Sequence, residues 1–413
     1  MTERVNVGEA IARVLEAHQV DSIYGVISIH NLPIADAVGR REKMRFVAAR
    51  GEAGAVTMAD AHSRFKGLGV ALTSTGAGAG NAVGSLIEAM NAGSPVLHLT
   101  GQVEREYLDR DASFIHETKD QLTFLRASSK AAFRITSPDN AVGVIREAIR
   151  VATTVPMGPV SVELPIDVQA AEIDLPLNLG PVKALELPQA EQAEIDLLVS
   201  EIKKAKRPIF WIGGGTLNSV AEVKAIADLG IPVVSSTHGR GVLADDHPRS
   251  LGAFHNSAGV EQLLKDADLM VVVGSRLRSN ETKTYSVEFP ENIIQVDARN
   301  GVGIAAPQVY ISKRVIIVAS RPNPRYPDAP EMEAVVMVNP EILEFSNEVC
   351  LGEEGCLSVP DERGQVERAE MVKVKYSTLQ GETVETIFHG FPARIVQHEV
   401  DHLNGILFVE RIS

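Results

Sequence analysis

A chain of 413 residues, 45% hydrophobic, can bury two or three separate cores. Its formal net charge of −14, spread over both sides of residue 298, leaves no basic stripe for nucleic acid and no patch for an anionic membrane. Two cysteines are too few for a disulfide scaffold, the N-terminal "MTERVNVGEA" has no apolar leader core, and no apolar run approaches the ~20 residues of a membrane helix, so a cytoplasmic protein is expected.

Residues 1–170 alternate helical and strand patterns. "VGEAIARVLEAH" has helical spacing, with Ile11, Val14 and Leu15 on one face. "SIYGV", "MRFVAA", "GVALTST", "PVLHLTG" and "GPVSVEL" are predicted strands. "GEAGAVTMADAHSRF", "GNAVGSLIEAMNAG" and "NAVGVIREAIRVATT" are predicted helices between them. Strand–helix–strand order with near-continuous apolar strands predicts a parallel sheet covered on both faces. "AEIDLPLNLGPVKALELPQAEQ" has three prolines and no period, and reads as a linker over 171–189. A second α/β unit follows over 190–298, with strands at "RPIFWIGGG", "IPVVSST", "ADLMVVVGS" and "ENIIQVDA". "WIGGGTLNS" only half fits a dinucleotide fingerprint, because Asn218 stands at its last glycine.

After residue 298 the pattern becomes α+β. "RVIIVAS", "AVVMVNP", "MVKVKYS" and "ETVETIF" read as strands, several alternating as in antiparallel pairs. One clear helix remains, "PARIVQHEVDHLNG", with Pro392 in its first turn and Gly405 at its end.

That helix carries the chemistry. Positions i and i+4 share a helix face, so His398 and His402 can present two imidazoles to one ion. Glu399 completes the H-E-x-x-H arrangement, in which the glutamate is a general base. A bland polar face is the competing reading. Phe408 stands where a metzincin needs its third histidine, and Glu410 is a poor thermolysin-type ligand just past the helix end, so the third ligand is sought upstream. "EEGCLSVP" offers Cys356, ahead of a proline turn. A thiolate with two imidazoles leaves one position open, as a catalytic site requires. The alternative for Cys356 is a buried structural cysteine, which is the expected fate of Cys350.

"GVGIAAPQ" (301–308), "EGCLS" (354–358) and "QHEVDH" (397–402) together resemble, in order, the three motifs of peptide deformylase. The resemblance covers 299–413. It implies a divalent ion, ferrous iron or in its place zinc, nickel or cobalt, held by Cys356, His398 and His402. It implies Glu399 as general base and then acid. It implies an oxyanion contact from the Gln308 side chain, helped by the Leu357 backbone N–H. Gly303 would line the peptide cleft. Ile395, on the His398 face, is a candidate wall of a methionine pocket, with plain core packing as its alternative. The implied reaction removes formyl from N-formylmethionyl polypeptides.

Residues 1–170 and 190–298 resemble the pyrimidine-binding and central domains of thiamine-diphosphate enzymes of the acetolactate synthase type. "ARGEAGAVTMADAHSRFKGLGVALTSTGAGAGNAVGSLIEAMNAGSPVLHLTGQ" carries the likeness. It implies that Glu52 contacts the cofactor's aminopyrimidine. The family's Gly-Val-Pro-Gly turn is "GVIS" (25–28) here, and its Gly-Asp-Gly diphosphate anchor is absent, so thiamine diphosphate is not expected to bind tightly. The expected architecture is thus two α/β parallel-sheet domains followed by an N-terminally truncated α+β deformylase domain. Its expected partners are formylated nascent chains and a second copy of the chain, through the N-terminal α/β domains. A lyase or carboligase fragment, or a fusion in which neither site is fully active, are the other functional readings. The missing deformylase helix also predicts that 299–413 is loosely folded.

Overall fold

The computed structural model describes residues 3–182, 190, 192–297, 303–305, 314–320, 329–356, 359–378 and 381–412. They divide into two compact units, Met1–Leu187 and Pro188–Ser413. No described helix is long and apolar enough to cross a membrane.

The first unit runs β1 (Arg4–Asn6), α1 (Val7–Ala17), β2 (Ser22–Gly25), α2 (Leu32–Gly39), β3 (Arg45–Ala48), α3 (Glu52–Lys66), β4 (Gly69–Thr73), α4 (Ala77–Ala92), β5 (Val96–Gln102), α5 (Gln121–Ser128), β6 (Ala131–Arg134), α6 (Ala141–Thr153), β7 (Val160–Pro165), α7 (Ile166–Ala170) and β8 (Glu172–Asp174). Six strands form one parallel sheet in the order β3-β2-β4-β5-β7-β6. Strands β4, β5 and β7 are buried along their whole length. That is why they read as apolar runs rather than alternations. Successive side chains still point to opposite faces. Val70, Leu72, Leu97 and Leu99 pack with Ile11 of α1 and Ile145 of α6. Ala71 and Val96 pack on the other face with Val56 of α3, Leu86 of α4 and Leu125 of α5.

A polar line crosses this core. His98 is fully buried, and its two ring nitrogens bond Thr73 Oγ1 and Ser161 Oγ, each at 2.9 Å. Burial pushes its pKa down to about 3, so the ring is neutral. Helices α2 and α5, eight residues each, and the four-residue β6 are too short for their periodicity to stand out in the sequence. The expected linker begins as structure. Strand β8 pairs antiparallel with β1, Ile173 opposite Val5, because these residues precede the first proline. Residues 183–189 lie outside the described set.

The second unit continues α8 (Gln192–Lys204), β9 (Pro208–Ile212), α9 (Val220–Asp228), β10 (Val233–Ser235), α10 (Ala258–Asp266), β11 (Leu269–Val273) and β12 (Ile293–Val296). These strands form a parallel sheet in the order β10-β9-β11-β12. Phe210 and Val271 face one core cluster, and Trp211, Met270 and Val272 face another. Then come β13 (Gly303–Ala305), β14 (Val315–Ser320), β15 (Met332–Phe345), β16 (Val349–Cys356), β17 (Val359–Ala369), β18 (Met371–Ser377), β19 (Thr383–His389) and α11 (Gly390–Leu403). They make an antiparallel sheet, β13-β14-β15-β18-β19, and a separate hairpin, β16-β17. Of the expected proline turn after Cys356, Leu357 and Ser358 lie outside the described residues. Pro360 belongs to β17, which pairs back onto β16 from Val359.

Helix α3 lies close against β4. A Cβ added to Gly69 would sit 2.0 Å from the Ala59 carbonyl oxygen. Gly69→Ala should therefore destabilise the first unit by ~1–3 kcal/mol. At Gly84 of α4 an added Cβ meets nothing within 4 Å. Gly84→Ala should stabilise by ~1 kcal/mol, the helix-propensity difference. Native-state hydrogen exchange of the β4 amides measures both, and equal effects would contradict this packing.

Candidate metal centre

Helix α11 is set by its ends and by one apolar stripe. Gly390, at φ +57°, turns the chain into it, Pro392 sits in its first turn, and Gly405, at φ +76°, ends it. Ala393, Val396 and Val400 pack against Ile316, Met337, Val372 and Val374 of the antiparallel sheet. Ile395 is also buried in this core cluster.

The polar side of α11 meets the hairpin. Gln397 donates to the Ala369 carbonyl at 2.9 Å and accepts from the Ala369 N–H at 3.1 Å, standing in for a strand partner at the end of β17. His398 and His402 lie with ring centroids 4.9 Å apart. Cys356, the last residue of β16, brings Sγ to 3.0 Å from His402 Nε2. One donor atom from each of Cys356, His398 and His402 falls within 4.8 Å of the other two. Ligand bonds of ~2.0–2.3 Å around a tetrahedral ion need donors roughly 3.5 Å apart, so the set fits one transition-metal ion.

Further residues orient these donors, and the sequence reading gave them no role. His398 Nδ1 lies 3.0 Å from Glu354 Oε2, which leaves Nε2 as the nitrogen for an ion. Glu354 accepts two bonds of 3.0 Å from Arg368 and one of 2.8 Å from Arg394. Arg368 also donates to Asp401 at 2.5 Å, and Arg411 reaches the other Asp401 oxygen at 2.9 Å. Arg394 further donates to the carbonyls of Cys350 and Val366. Gly352 makes room for this guanidinium, since an added Cβ would lie 2.9 Å from Arg394 Cζ. Cys350 is half-buried rather than buried, with its sulfur 3.3 Å from Arg394 Nη2. Its strand belongs to a two-stranded sheet, too small to enclose it. Strand alternation could have put Glu354 on the face of Cys356. Nothing local points to Arg368, which arrives only through the hairpin register.

The electrostatics follow from this packing. Burial raises the proton affinity of Glu354, but His398 and Arg368 outweigh it and hold the carboxyl at about 2. Burial pulls His398 down, yet Cys356 and Glu354 push it up to about 10. A ligand imidazole must be neutral, so an ion entering here displaces a proton. Glu399 is buried, and its Oε2 has no hydrogen-bond partner among the described residues. Burial pushes its pKa up to about 8, with His398 opposing and Cys356 and Glu354 adding to the rise.

Of the other predicted site residues, Gly303 lies in β13, paired with Val318. Gln308 and Leu357 lie outside the described residues. Glu52 belongs to the first unit, where it opens α3, is buried, and accepts from Asn81 Nδ2 at 3.3 Å.

The sequence that carries these donors has known relatives. Residues 276–413 match the polypeptide deformylase family. Peptide deformylase 2 of Nostoc sp. is 53% identical over 121 residues, which is 29% of this chain and 68% of that protein. The chain belongs to the peptide deformylase family. Residues 5–124 match the N-terminal TPP-binding domain of thiamine pyrophosphate enzymes and 195–307 their central domain. The acetolactate synthase large subunit of Corynebacterium glutamicum is 31% identical over 306 residues, 71% of this chain and 48% of that protein. The chain thus spans about half the length of that relative. A solved class I type b peptide deformylase from Acinetobacter baumannii is 94% identical over 28% of this chain and 72% of its own, with a TM-score of 0.27. The deformylase and central-domain matches overlap over 276–307. Within the overlap, β12 pairs in parallel with β11.

The buried carboxyl of the deformylase domain makes a pH prediction for the ion-free protein. Between the ordinary value of 4.5 and about 8, folded Glu399 keeps a proton that the unfolded chain has lost. Stability contributed by Glu399 therefore falls as pH rises through that window. Glu399→Gln removes the titration. Its thermal transition should gain on the parent's as pH goes from about 5 to about 9, read by calorimetry in the presence of chelator. A constant difference would contradict the burial of this carboxyl.

Proposed function

We propose that the chain is a metal-dependent hydrolase that removes formyl from N-formylmethionyl polypeptides. The observation that carries this reading is the convergence of Cys356, His398 and His402 beside the buried Glu399 carboxyl, whose Oε2 has no hydrogen-bond partner among the described residues. Cys356, His398 and His402 would hold a divalent cation, which would supply Lewis-acid chemistry there.

The chain's own groups do the rest. Glu354 holds His398 in the tautomer that offers Nε2. Cys356 and His402 approach from β16 and α11, and a set of three protein donors would leave a catalytic ion's fourth position to water or substrate. Glu399, next in sequence to His398, is the base that takes a proton from water and returns it to the leaving amine. With the donor set loaded, Glu399 would ionise more readily, offsetting its burial. Gln308 and the Leu357 N–H are the proposed donors to the developing oxyanion, and Gly303, on β13, is proposed to line the peptide cleft.

Thiamine-diphosphate chemistry is the second reading, favoured by Glu52 buried at the start of α3 with Asn81 beside it. The diphosphate anchor that such chemistry requires is not found in the sequence.

The purified chain should take up one transition-metal ion, and Cys356→Ala should lose most of it by elemental analysis. Unchanged metal content in that variant would overturn the ligand set. Glu399→Ala should keep the ion and lose a factor of ~10²–10⁴ in hydrolysis of a formyl-methionyl peptide. A variant as fast as the parent would remove Glu399 from its role.

A further inference from the structure

The last turn of the chain touches the metal centre by two routes. Residues Phe408–Arg411 form a 3₁₀ turn after α11. Phe408 is buried and lies over the His398 ring, centroids 6.2 Å apart and planes 26° from parallel. Arg411, from the same turn, donates to Asp401 of α11 at 2.9 Å. Asp401 accepts from Arg368, Arg368 donates to Glu354, and Glu354 holds His398 Nδ1. Charges alternate along this path from a half-exposed guanidinium to a largely but not fully enclosed imidazole.

We propose that Arg411 is a positioning residue of the metal centre. It pins the terminal turn to α11, so that Phe408 covers one face of His398 while the Asp401–Arg368–Glu354 path fixes its Nδ1. The inference rests on the metal-centre reading above. An exposed ion pair is by itself worth little. The leverage here is geometric, because one contact secures both restraints on the same ring. Asp401 splits its two oxygens between Arg368 and Arg411. Without Arg411, Asp401 has Arg368 as its remaining cation and draws it away from Glu354. The turn carrying Phe408 loses its ion pair in the same step. Both changes loosen His398. The imidazole then samples orientations that do not meet the ion.

The test uses the full chain loaded with cobalt(II) and reads the release of cobalt to an excess of chelator, together with the thiolate-to-cobalt absorption band. Changes in groups that orient a ligand usually cost 10–100-fold in metal affinity. Arg411→Gln should release cobalt about 10-fold faster, at the lower end of that range, and shift or weaken the band. Arg411→Lys keeps the charge but not the fork and should fall between parent and Gln variant. Arg363→Gln removes another exposed cation of the hairpin, one that pairs with Glu353, and should match the parent. Release from Arg411→Gln at the parental rate, or from Arg411→Lys as fast as from Gln, overturns the inference while leaving the metal centre intact. A parent chain that takes up no cobalt overturns the metal-centre reading and this inference with it.

Discussion

A single buried carboxylate, Glu354, organises the C-terminal part of the molecule. It meets Arg368 of β17, and Arg394 and His398 of α11, from its own place on β16. A buried charge persists only where partners replace water, and each of these partners is itself nearly enclosed. None can leave without stranding the others. The hairpin and the helix are therefore held in one relative position, and that position brings Cys356 to the two histidines. Stability is a side effect of this arrangement. A well-packed apolar set of similar volume could stabilise as much. It could not orient an imidazole.

Helix α11 shows how the two kinds of contact divide. Its residues are buried nearly all round. Ala393, Val396 and Val400 gain from leaving water and need no particular partner, only shape. Arg394, Gln397 and Asp401 on the other side would each be costly to bury alone, and each has directed hydrogen bonds to the hairpin or the terminal turn. The apolar side fixes the depth at which the helix sits. The polar side fixes its rotation, and rotation decides where the histidines point.

In the first unit the parallel sheet is buried on both faces, and its polar residues pair inside it. The chain joins thiamine-enzyme-type domains to a deformylase domain, and each half has buried its own polar groups by its own local rules. Glu52 and Glu399 make the contrast. Both are buried carboxyl groups near helix starts or ligand sets, but Glu52 has Asn81 beside it, whereas one oxygen of Glu399 has no partner among the described residues.

The sequence by itself determined whatever is encoded between near neighbours. The i, i+4 spacing placed His398 and His402 on one helical face. The apolar runs at Gly69–Thr73 and Val96–Gln102 specified buried parallel strands, and Pro392 and Gly405 bounded the last helix. Cys356 could be nominated as the third donor because a metal needs one and few side chains qualify. The tertiary structure alone decided what joins distant segments. Strand Glu172–Asp174 was hidden in a proline-bearing stretch because its partner, Arg4–Asn6, lies at the other end of the unit. Alternation along β16 hints at Glu354, but the roles of Arg368, Asp401 and Arg411 were equally illegible. Their pairing depends on the β16–β17 register, which sets Cys350 opposite Arg368, and on the angle at which α11 crosses that hairpin. Periodicity is a property of adjacent residues. Register and crossing angle are settled only when the whole core packs at once.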